Sequence, residues 1–125
     1  GISTAALAFG GSTPSLTAKT ETWNGSSWTE TTDLNTARNY IGGAGLYTTA
    51  LAFGGTTPPR VAITEEWNGS SWTETTDLNT ATSAMGSAGI NTAALSFGGL
   101  APGITTASEE WTGAGADTTV TFTAS

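Results

Sequence analysis

The chain has 125 residues, carries ten Asp and Glu against three Lys and Arg for a net charge of −7, and contains neither His nor Cys. Such a surface repels nucleic acid and anionic membranes. The missing residue types exclude disulfide staples, thiolate metal sites and the His-activated nucleophiles of the common hydrolases.

Charged residues are only 10% of the chain and Thr is its commonest residue, which fits an extracellular or virion-surface β protein better than a cytosolic enzyme. No apolar run reaches the length of a membrane span and no signal-peptide pattern is present, so no membrane insertion is expected. The chain starts at Gly1, partway through a repeat, and reads as a processed product or a piece of something longer.

In chain order, the first landmark is Ala8-Phe9-Gly10-Gly11, an apolar run closed by a double glycine. It recurs at an offset of 44 residues as Ala52-Phe53-Gly54-Gly55, and once more as Ser96-Phe97-Gly98-Gly99. Segment 23–37, WNGSSWTETTDLNTA, is repeated unchanged at 67–81. Trp23 maps to Trp67 and Trp111, and Pro14 to Pro58 and Pro102. A fixed period of this size marks a tandem array in which each unit leaves an apolar face for its neighbour to cover.

The middle repeat is the most complete. Residues 41–47 are small and apolar, suited to a place where backbones approach closely. Residues 49–53 form a short apolar strand broken by Gly54-Gly55, and a loop with Pro58 and Pro59 comes next. Residues 63–67 and 70–74 are β-rich runs on either side of Asn68-Gly69, which predicts a hairpin with a type I′ turn. That pairing puts Trp67 and Trp72 on one sheet face. Residues 75–81 lead to the next small-residue strand at 85–90. No 3.6-residue apolar period with caps occurs, so the fold is read as all-β, with four antiparallel strands per repeat.

Short antiparallel strands at this period are the signature of a β-propeller blade. Phe9-Gly10-Gly11, Trp23, Trp28 and Arg38 stand where a kelch repeat has its double glycine, its Trp pair and the Arg before the next first strand. The chain thus resembles a kelch-like β-propeller array, with its nearest likeness in Thr/Gly-rich arrays of phage tail and surface proteins. The resemblance covers essentially the whole chain. It departs where Arg38 becomes Thr82, and where the position of Trp28 and Trp72 becomes Ala116. It implies one repeat array over 1–125: a blade lacking its first strand at 1–35, a second at 36–79, and a third at 80–125. The third would end in a closing strand carrying Val120 and Phe122, at the genuine end of the protein. About three blades do not close a ring, which takes at least about four. Two copies closing one ring, or an open helical filament, are therefore both implied.

The residues that carry chemistry are few. Copper-radical oxidases that share the kelch fold are out of reach without His and Cys. Glu21, Glu65 and Glu109, with Glu30 and Glu74, leave a carboxylate-only glycan-processing enzyme as a distant alternative. Side chains repeated in every unit are usually structural, so no enzyme activity and no cofactor are expected.

Antiparallel order places the loops at 12–17, 56–61 and 100–105 and the linkers between repeats on one face, and the Asn-Gly turns on the other. Arg38, Arg60, Asp33 and Asp77 are the recognition candidates on that long-loop face. Asp33 and Asp77 read more simply as turn caps than as a Ca²⁺ site. Trp23, Trp28, Trp67, Trp72 and Trp111 are expected as packing between blades, with sugar stacking as the other reading. Asn24 and Asn68 match the N-glycosylation pattern but also serve the turns. The function implied is a non-catalytic, self-assembling module of a phage tail or other extracellular assembly. Its partner would be another copy of itself, with a cell-surface glycan as a further one.

Overall fold

The computed structural model describes residues 2–112 and 117–120 of the chain. Among the described residues all regular structure is β, in three antiparallel sheets. The first holds β1 (Ala6–Phe9), β2 (Thr20–Trp23) and β3 (Trp28–Thr31). The second holds β4 (Gly42–Leu46), β5 (Thr49–Phe53), β6 (Thr64–Trp67) and β7 (Trp72–Thr75). The third holds β8 (Gly86–Ile90), β9 (Ala93–Phe97), β10 (Ser108–Trp111) and β11 (Asp117–Val120). Each sheet is a simple meander, because every connection joins sequence neighbours that pair. The strand that the sequence places around Val120 is β11, which pairs with β10; Ala116 and Phe122 lie outside the described residues.

Alternation along each strand divides its residues between two neighbours. Ala50, Ala52, Trp67 and Trp72 of the second sheet pack with Leu7, Phe9 and Leu34 of the first repeat. Leu51 and Phe53, one residue out of phase, join Leu78, Met85, Ala94 and Trp111 on the other side. The same interface therefore recurs: a Leu/Phe face of one sheet meets the Ala/Trp face of the next. Trp72 shows how it is built. Its ring meets Phe9 edge-on at 5.0 Å, and its indole N–H donates to the Thr20 hydroxyl at 2.9 Å. Trp72 also sits 5.3 Å from Trp67, its direct partner in the β6–β7 register.

The small residues of β4 and β8 do what their size allows. The Ser87 hydroxyl donates to the Gly43 carbonyl at 2.8 Å and accepts from the Gly43 amide at 3.2 Å, tying the two strands together. Gly54 (φ +66) and Gly55 (φ +99) hold left-handed backbone that a side chain would strain. That bend lets the Gly55 amide bond Thr82 O at 2.8 Å, and a Cβ on Gly54 would collide with the same carbonyl. The double glycines thus end a strand and seat the incoming linker.

The Asn-Gly hairpins differ from the type I′ expectation. Asn24 to Ser27 form a four-residue loop closed by Asn24 N to Ser27 O, and only Gly25 has a positive φ, at +96. The Asn24 side chain accepts from the amides of Ser26 and Ser27, both at 2.9 Å, and Asn68 does the same for Ser70 and Ser71. With its side chain bridging the loop, Asn has no need of left-handed backbone.

Candidate functional site

A fully buried polar network anchors the linker between the first two sheets to the second sheet. Arg38, in that linker, is fully buried, as is Glu65 on β6. Its guanidinium donates to Glu65 Oε2 at 2.7 Å, to Gly54 O at 2.8 Å and to Ala52 O at 3.1 Å. Asn35 completes the arrangement, donating to Glu65 Oε1 from its amide N–H at 2.7 Å and from its side chain at 2.9 Å. A buried ion pair of this kind survives only because every charge is met by hydrogen bonds. Arg38 is therefore not a surface recognition residue. The sequence places it on the long-loop face, and its backbone is there, but its side chain turns inward to Glu65. Glu65 is likewise locked in the interior rather than facing a cleft with Glu74.

On the long-loop face, isolated bridges pair Asn39 with Thr56 and Ser83 with Leu100, so linkers and double-glycine loops lie together. At the opposite end the Trp67 indole donates to Tyr47 O at 3.0 Å, placing the β4–β5 turn beside the Asn68 loop. Asp33 and Asp77 are both exposed on the long-loop face. Arg60 is half-buried, forms no ion pair among the described residues, and has a buried Nε without a hydrogen-bond partner. Lys19 pairs at 2.8 Å with Glu30, both side chains exposed. No group of three or more metal-ligating side chains occurs among the described residues.

The Trp row is not uniform. Trp67, Trp72 and Trp111 are buried, at 1%, 5% and 7% exposure, and line the contacts between sheets. Trp28, the counterpart of Trp72 within an identical local sequence, is 49% exposed. Its ring meets that of Trp23 at a tilt, at 5.4 Å, and no described element covers the outer face of the first sheet. On the outer face of the third sheet Phe97 is 40% exposed, whereas its counterpart Phe53 is at 4%. The two ends of the array thus display the two halves of the interface that is closed inside it.

Asn24 and Asn68 are exposed at the tips of their loops, with their carbonyl oxygens engaged in the loop. No protein-family model matches the chain, and no curated protein matches its sequence.

Proposed function

We propose that the chain is a non-catalytic, self-associating β-propeller module of the kelch-like kind, serving a phage tail or another extracellular assembly. One observation carries the reading. The open Trp28 face is the 44-residue counterpart of the Ala50/Trp67/Trp72 face, which the first sheet covers within the chain. The open Phe97 face is the counterpart of the one that buries Phe53. A second copy offers the complementary half for each. Such a head-to-tail contact is heterologous, so it yields a closed ring if the rotation closes and a filament if it does not.

Light scattering and sedimentation on the chain and on Trp28→Asp test this. The parent is expected above 12.5 kDa and the variant at that mass, with near-ultraviolet circular dichroism retained in both. A single mass favours the ring and a growing distribution the filament. A parent that is monomeric and well folded overturns the proposal.

A further inference from the structure

The two linkers differ at one position that matters. Thr82 replaces Arg38, and the backbones coincide in role: Gly11 N donates to Arg38 O at 2.9 Å, and Gly55 N to Thr82 O at 2.8 Å. Glu109 is the counterpart of Glu65 and is still 93% buried, given its 7% exposure. Its carboxylate accepts from the Asn79 amide at 2.6 Å and the Thr80 amide at 3.3 Å, but no basic side chain pairs with it among the described residues. The Thr82 hydroxyl does not replace the guanidinium, because it turns back to donate to Thr80 O at 2.9 Å. Where the guanidinium would lie there is a cavity of about 230 Å³, lined by Thr82, Ser96, Gly98 and Glu109 together with the loop at Ala101–Thr105.

The three acceptors that hold Arg38 in the first junction are Glu65, Ala52 O and Gly54 O. Their counterparts in the second are Glu109, Ser96 O and Gly98 O, and all three residues line the cavity. We infer that this cavity is a binding site for a guanidinium cation brought from outside the chain, either a small free guanidinium compound or the Arg side chain of a protein. The internal template fixes the chemistry. A planar fork of N–H donors satisfies one carboxylate and two carbonyls at once, which a bare charge cannot do. At about 30 Å³ per water the cavity holds several waters when no cation is present, so the unpaired carboxylate stays hydrated and the fold tolerates the Thr. The site lies between the linker that follows β7 and the third sheet, within one chain, and does not depend on self-association.

A nuclear magnetic resonance titration at constant ionic strength tests the inference, following the Thr80, Gly98 and Glu109 amides. Methylguanidinium is expected to shift them saturably with one-site behaviour. Tetramethylammonium, which has no N–H, is expected to leave them unmoved. Thr82→Arg supplies the cation internally, so the affinity for methylguanidinium should fall by about tenfold or more, as loss of charge-assisted bonds implies. The same variant should also melt at a higher temperature. Glu109→Gln should lose binding too, and if it fails to fold, Thr82→Arg alone decides. A blocked Arg tripeptide separates the sources: a response matching methylguanidinium assigns a protein side chain, and no response assigns a small free ligand. The inference is overturned by any of three results. These are no saturable response in the parent, an equal response to tetramethylammonium, or undiminished binding in Thr82→Arg.

Discussion

Arg38 and Lys19 both pair with a Glu, and burial makes the two pairs unequal. Removing one partner of a fully buried pair leaves the other as an uncompensated charge, so Arg38→Met is expected to destabilise by about 3–5 kcal/mol in chemical denaturation. Lys19 lies at the surface, where solvent and salt screen its contact with Glu30, and Lys19→Gln is expected to leave the denaturation midpoint unchanged. The hydrogen bond that the Lys19 ammonium donates to the Glu30 carboxylate, and then the charge of Glu30, hold Lys19 above its ordinary 10.5. Its folded value being the higher one, the small contribution of the pair is present at neutral pH and is lost as alkaline pH deprotonates the lysine. A large loss of stability in Lys19→Gln at pH 7 would contradict this account.

Among elements, β3 and β7 make the cleanest comparison, since WTET is the sequence of both. Trp72→Ala removes an aromatic buried against Phe9 and Trp67 and should cost about 3–5 kcal/mol. Trp28→Ala removes a half-exposed ring and should cost roughly 1 kcal/mol in dilute, monomeric chain. The two variants therefore differ through their neighbours and not through their strands. If association covers Trp28 as proposed, its cost rises toward that of Trp72 with protein concentration, which denaturation at two concentrations measures. The β4–β8 contact gives a smaller test. Ser87→Ala deletes the hydroxyl that bonds both polar groups of Gly43, and about 0.5–1.5 kcal/mol should be lost.

For the whole molecule, charge and apolar surface act in opposite directions. Each copy carries −7, and copies repel at low ionic strength. The faces proposed to meet are built around Trp28 and Phe97 and owe little to ion pairs. Raising the salt concentration from about 10 mM to 0.5 M shortens the Debye length from about 30 Å to a few ångströms and should drive association, seen as a rise in mass by light scattering. Dissociation on adding salt would mean that the contact is ionic and that these faces are not the ones involved.

Period and alternation are local properties, and the sequence by itself determined the features that depend on them. The 44-residue offset, the strands at 49–53 and 63–67, the placement of Trp67 and Trp72 on one sheet face and the long-loop polarity all come from residue spacing within one repeat, whereas the direct Trp67–Trp72 register follows from the four-residue loop that the structure shows. The turn type was missed because an Asn side chain that caps two amides stands in for left-handed backbone, and spacing does not reveal which of these Asn supplies. Only the tertiary structure decided the fates of Arg38 and Trp28. Arg38 is drawn inward by a carboxylate 27 residues away and two carbonyls at a glycine bend, none of them legible in its own loop. Trp28 and Trp72 share one local sequence, and their burial differs because the first sheet stands over Trp72 whereas no described sheet stands over Trp28. Burial is a property of the neighbour, and a repeat read alone does not contain its neighbour.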